Sequence, residues 1–437
     1  MRELRLKFMK YVSLNIMGMI GISCYILADT LFVSKALGTV GLASLNFSIP
    51  VFSIIQGIGL MIGIGGATQH SINEQQKDSN NTSFTQSIYF GGIMSILFII
   101  IGAFFVSKLA ILLGADKSTF ALTKTYLTTL LFFSPFFIFN NIFLAFIRND
   151  NNPKLSMIAM LVSSFANIVL DYVFMFPFNM GIFGAAFATC LSPIISLCIL
   201  SLHIIKKKQK FHFVKSKILF SNIYKIITLG FSSLIGELTS AISLITFNLI
   251  IVKIGGNTGV AAYGIVANVA LIATSIFTGV SQGIQPLLSE YYGKGEMTLV
   301  KKTFDYSMIT ALIFEITIYA IIYLLTNDIV AIFNSEHNLE LAAIAATGMR
   351  TYFIGYLFAG INIVSCAFFS SISKVKEAMI LSISRSCIIL IPAIFILSIL
   401  FKMNGIWFAF VVTELIVLVI NIGFMVKNKI LRLKLTF

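Results

Sequence analysis

Twelve apolar stretches, each long enough to cross a bilayer as a helix, leave this chain few options. A membrane helix needs about 20 consecutive apolar residues. Such stretches fall at residues 11–33, 42–66, 87–112, 122–147, 155–177 and 181–205, then at 222–252, 259–288, 301–326, 341–370, 377–402 and 404–427. The expected fold is an all-α polytopic membrane protein with twelve transmembrane helices. Charged residues make up only 11% of the chain, against about 25% in an ordinary soluble domain. No segment is long or polar enough for a separate soluble domain.

The net charge of +14 does not point to nucleic acid, because the basic residues cluster at the ends of apolar segments. Lys and Arg gather in cytoplasmic loops. The N-terminus, the run KKKQKFHFVKSK (206–217), the loops EYYGKGEMTLVKK and SKVKE, and the tail KNKILRLKL therefore share the cytoplasmic side, with both termini inside. Residues 1–10 are basic, but a span-length segment without a small-residue cleavage site follows, so it reads as a first span and not a leader. The five cysteines all lie in apolar segments without CxxC spacing and read as small core residues.

The basic run divides the chain into an N-terminal six-helix lobe (1–205), a linker (206–221) and a C-terminal six-helix lobe (222–437). A solvated linker is the plain reading of that run, and attraction to anionic lipid headgroups the other. The halves resemble each other. Lys35, Gly38, Gly41 and Ala43 parallel Lys253, Gly256, Gly259 and Ala261, and Gly181, Ile182 and Thr189 parallel Gly405, Ile406 and Thr413. Six spans separate the copies, so both halves have the same orientation, related by an axis along the membrane normal.

Acids inside the spans mark the candidate site. Asn167 and Asp171 stand four apart on one helical face, in MLVSSFANIVLDYVFMFPFNMGIFGAAFATC (160–190). Thr189 returns level with them if the turn falls near Pro177 to Gly181. Asp29 lies in the first span. A carboxylate at bilayer depth costs about 2.5–3.5 kcal/mol on insertion scales. It persists where it faces a partner or a wet cavity. Neither acid has a basic residue one turn away in sequence, so a proton or cation site is favoured over a structural ion pair. Two acids close together titrate as a pair, which suits exchange of a bound proton for a bound cation.

Further polar groups lie deep in the second half. Glu237 and Glu414 can line a cavity there and attract a cationic substrate, and Arg385 can pair with either; Glu315 stands alone in an apolar span. In QGIGLMIGIGG (56–66) the glycines fit close helix packing better than ligand contact. Enzyme signatures are absent: His70, His203, His212 and His337 form no HExxH pattern, and neither GxSxG nor a Walker A motif occurs. The expectation is a transporter without a cofactor.

Asp29-Thr-Leu-Phe-Val-Ser, followed by Leu37-Gly38 and Leu42-Ala43, resembles the first-helix signature of the multidrug and toxic compound extrusion (MATE) family. So do Gly65-Gly66, Arg148 with Pro153-Lys154, Asn167-Ile-Val-Leu-Asp171, Gly181 to Thr189, and Gln282-Gly-Ile-Gln285-Pro286. The resemblance implies two pseudo-symmetric six-helix bundles in a V shape. It also implies a coupling-ion network at Asp29, Tyr126, Asn167, Asp171 and Thr189, with Na⁺ held by Asp29, Asn167, Asp171 and Thr189 if sodium is the ion. Glu237, Glu414 and Gln285 become candidates for the substrate cavity. Many relatives carry a proline in the first helix; here none precedes Pro50, which counts against a proline-driven bend.

The function expected is monomeric multidrug antiport in the plasma membrane: export of lipophilic organic cations against Na⁺ or H⁺. A lipid-linked oligosaccharide flippase of the same superfamily would need a larger, more cationic cavity for pyrophosphate. A non-transporting membrane protein would show no gradient-dependent efflux.

Overall fold

A computed structural model describes residues 2–75, 82–207, 209–334, 338–428 and 430. His337, the middle of the loop after the second span and most of the basic tail lie outside them. All regular structure among the described residues is helical.

Arg2–Gln75 is one helical run broken at Gly38 (φ 61°, ψ −151°) into α1 and α2. Ser83–Phe104 continues into Val106–Leu112 as α3. Phe120–Phe132 and Ser134–Asn149 form α4, bent by 48°. Pro153–Met175 is α5 and Gly181–Ile205 is α6. Phe220–Gly256 and Thr258–Gly293 are α7 and α8, Met297–Phe333 is α9, and Leu339–Ser371 is α10. Val375–Lys427 breaks at Lys402 (φ 50°, ψ −128°) into α11 and α12. The described residues thus make twelve apolar helical passages.

Helix persists past the apolar segments at several ends. Residues 2–10 are helical, although the apolar pattern begins at residue 11. The links at 34–41 and 253–258 shrink to single glycines. Gly38 and Gly256 have nearly the same backbone, φ 61°, ψ −151° and φ 57°, ψ −156°, a region essentially reserved for glycine. The repeat read from sequence is therefore a repeat of backbone geometry at these two breaks.

The chain forms two compact units. One comprises Met9–Leu238 with Ser289–Glu296; the other comprises Met1–Phe8, Thr239–Leu288 and Met297–Phe437. They are called the N-unit and the C-unit below. Glu237 falls in the N-unit.

Glycine lets helices of the N-unit touch backbone to backbone. A Cβ on Gly63 would sit 2.6 Å from the Asn141 carbonyl of α4. On Gly65 it would be 2.0 Å from the Ile226 carbonyl of α7, and on Gly230 it would be 1.9 Å from the Met61 carbonyl of α2. The glycine run of α2 is a packing surface.

The charged turn at 148–154 and the linker, read as solvated, are both fixed onto protein. In the turn 148–154, Arg148 is buried and donates to Asn15 Oδ1 at 2.9 Å, while Asp150 meets His203 Nε2 at 2.8 Å. Asn152 caps α5 by accepting from the Leu155 amide, with Pro153 at the first helical position. The linker lays Phe211 into the N-unit core, ring centroids 4.7 Å from Phe84 and 5.5 Å from Phe146. Val214 N–H donates to Thr85 Oγ1 at 2.8 Å and Leu219 N–H to Gln86 Oε1 at 2.9 Å. Lys206, Lys207, Lys210, Lys215 and Lys217 remain exposed, but the strap is anchored by its aromatic and its backbone.

Candidate functional site

α5 and α6 form an antiparallel hairpin whose turn spans residues 176–180. This places Thr189 beside Asn167. With its amide set so that both ends are satisfied, Asn167 donates to Asp171 Oδ2 at 3.1 Å and accepts from the Thr189 amide at 3.2 Å. Asn167 thereby ties the acid on α5 to the backbone of α6.

Asp29 approaches from α1, and its carboxyl interacts electrostatically with that of Asp171. Tyr126 of α4 interacts electrostatically with both acids and hydrogen-bonds with the Thr189 side chain. Tyr25, one turn before Asp29, interacts electrostatically with Asp29, Glu237 and Asp171. All five residues expected at the coupling site are buried and share this neighbourhood. Tyr25 was missed; its only signal was a hydroxyl four residues from an intramembrane acid.

Two oxygens here are buried without a hydrogen-bond partner: Asp29 Oδ1 and Asp171 Oδ1. Orphaned buried oxygens are costly. Among the described residues no Lys or Arg nitrogen lies within 4.0 Å of either acid; the ion pairs found are His203–Asp150, Lys210–Glu74, Lys294–Glu290 and Arg385–Glu414. Carboxylate and hydroxyl oxygens with open lone pairs suit a proton or a hard cation such as Na⁺. An apolar cluster of Val33, Leu45, Tyr126, Met175, Ile182 and Ala185 adjoins this set, on the side of Asp29 toward Gly38.

The second-half acids are arranged differently. Glu414 is neutralised by Arg385 through Nε at 2.9 and 3.1 Å and Nη2 at 2.7 Å. Asn362 Nδ2 donates to Glu414 Oε2 at 2.8 Å and to the Glu414 carbonyl at 2.9 Å. Arg385 sits in a π-helical turn, Ser384–Ile388, whose wider winding is common at functional positions. Glu315 is fully buried; its Oε1 accepts the Ile361 amide at 2.8 Å. Gln285 is buried on α8 in the C-unit. Glu237 and Glu414 belong to different compact units.

A family model described as MatE matches residues 15–173 and 233–396. The chain belongs to the MatE family. As a MatE-family transporter it is not an enzyme. Similar curated proteins include the multidrug export protein MepA of Staphylococcus saprophyticus, 26% identical over 387 residues, covering 86% of this chain and 83% of that protein. MepA of Staphylococcus aureus is 27% identical over 387 residues, covering 85% of this chain and 82% of that protein. Among solved structures, one described as the outward-facing conformation of a multidrug resistance MATE family transporter superposes with a TM-score of 0.90 at 21% identity, over 97% of this chain and 95% of that one. A transporter from Pyrococcus furiosus, described as having a binding pocket of reverse polarity, superposes with a TM-score of 0.87 at 21% identity over the same shares. At such identity these superpositions establish the MatE fold.

Proposed function

We propose that this chain exports lipophilic organic cations by antiport against Na⁺ or H⁺, as a monomer in the plasma membrane with both termini in the cytoplasm. The observation that carries the reading is the pair of partnerless buried oxygens on Asp29 and Asp171, close together and without a basic partner. A structural ion pair would satisfy these groups permanently. A site that loads and unloads a cation leaves them open in one state and filled in another.

In this cycle, Asp29 and Asp171 take up the coupling ion from outside, and the surrounding helices repack as drug is released. Asn167 and Tyr126 position the acids and supply neutral oxygens. Loss of the ion to the cytoplasm returns the empty carboxyls, and substrate binds again. The name shared by the MepA relatives supports the export direction and a broad substrate range.

The test is efflux of a cationic dye from proteoliposomes under separately imposed Na⁺ and H⁺ gradients. The native protein is expected to respond to one of them. Asp171→Asn is expected to lose gradient-driven efflux at least ~10-fold, the factor that follows from about 1.4 kcal/mol of lost coupling, while remaining monodisperse. Full gradient-driven efflux by that variant would overturn the proposal.

A further inference from the structure

A cleft of about 200 Å³ opens in the N-unit between the start of α5 and the end of α6, at the end of the helices opposite Gly38. Lys154 and Lys206 line it with Asn152 and His203; Leu155, Ile158 and Leu202 form its apolar wall. Drug-sized ligands occupy about 300–1,000 Å³, so this volume suits a small polar group better than a whole transport substrate.

Its electrostatic character follows from the hydrogen bonds behind it. Asn152 Oδ1 accepts from the Leu155 amide at 3.3 Å, which leaves Nδ2 facing His203 Nδ1 at 3.1 Å. An amide nitrogen only donates, so Nδ1 is the acceptor and Nε2 carries the proton given to Asp150 Oδ2 at 2.8 Å. The Lys210 amide donates to the same oxygen at 3.0 Å. Asp150 is held by these two donors and does not line the cleft. The cleft therefore presents two ammonium groups, Lys154 and Lys206; the positive end of α5 is offset there by the negative end of α6.

Below the cleft the surface is apolar. Ile158 begins a stripe that continues through Val162, Phe165 and Val169, the last three exposed and spaced to share one face of α5. A cationic niche directly above an apolar stripe matches a molecule with an anionic head and a hydrocarbon tail. Basic pockets between helices at the cytoplasmic membrane surface bind such headgroups.

We propose that this cleft is a binding site for an anionic phospholipid, with its phosphate between Lys154 and Lys206 and an acyl chain along Ile158, Val162, Phe165 and Val169. The inference does not depend on the coupling-ion reading.

The experiment is native mass spectrometry of the full chain in detergent, titrated with phosphatidylglycerol, with phosphatidylcholine of the same acyl chains, and with inorganic phosphate. One phosphatidylglycerol is expected to bind more tightly than phosphatidylcholine. The pair Lys154→Ala/Lys206→Ala should weaken it roughly 30-fold, which corresponds to ~1 kcal/mol per lysine at an anionic surface, while Lys154→Arg/Lys206→Arg retains it. Should the alanine pair fail to fold, Lys154→Gln alone is expected to weaken binding roughly 5-fold on the same basis. Equal affinity for both lipids, unchanged phosphatidylglycerol binding in these variants, or binding of inorganic phosphate without a lipid preference would each overturn the proposal.

Discussion

Breaking one side of the Arg385–Glu414 pair should cost more than removing both. The guanidinium holds the carboxylate by contacts of 2.7, 2.9 and 3.1 Å, with the side chains 14% and 2% exposed. Arg385→Met leaves the carboxylate buried with one side-chain donor, Asn362 Nδ2 at 2.8 Å. A buried charge stranded in this way costs about 3–5 kcal/mol, whereas an apolar replacement of the whole pair is close to neutral. Asn362 Nδ2 keeps its bond to the backbone carbonyl of position 414 at 2.9 Å, but its second N–H loses the carboxylate acceptor, so the double replacement strands one buried donor at about 1–3 kcal/mol. The assay is a double-mutant cycle on unfolding free energy in detergent with Arg385→Met, Glu414→Met and both. Each single variant is expected to lose about 3–5 kcal/mol and the double about 1–3 kcal/mol, the cost of the stranded Asn362 N–H. Additive losses, with a coupling below ~0.5 kcal/mol, would refute the claim that the pair is a closed structural unit.

Gly230→Ala is expected to lower stability by at least about 1–3 kcal/mol, because its Cβ would lie 1.9 Å from the Met61 carbonyl. Gly264→Ala, with open space around the same atom, should be neutral or slightly stabilising; thermal unfolding followed by size exclusion compares the two. In the turn between α3 and α4, hydroxyl and amide donors of Ser118 and Thr119 hold the Asp116 carboxyl down from 3.8 to about 2. Because the folded value is depressed, the contribution of Asp116 is complete above about pH 3.8 and is lost as the pH falls through about 2. Carboxyl NMR of labelled aspartate checks this, and titration near 4 would contradict it.

The twelve passages were legible because the bilayer imposes a length and an apolar composition that few other settings demand. The hairpin of Asn167, Asp171 and Thr189 was legible for a local reason: helical period and a nearby turn fix all three. Partners across helices were not. Sequence left Arg385 free to choose between Glu237 and Glu414, and the choice depends on helix phase and on the π turn at Ser384–Ile388, which no residue pattern announced. Glu315 looked solitary because its partner is a backbone amide, Ile361 N–H, and amides leave no mark in a sequence. The basic linker looked solvated because its lysines outnumber its anchors; Phe211, 2% exposed, outweighs them in packing.

Gly38 and Gly256 have no heavy atom within 4 Å of where a Cβ would stand. A saturation-mutagenesis map read by crowding alone would mark both as permissive. Their positive φ reverses that reading: alanine would fit the space and be refused by the torsion. Sites that are roomy yet intolerant would then appear 218 positions apart, a pair of scars from which the doubling of an ancestral half could be recognised after every side chain around them had diverged.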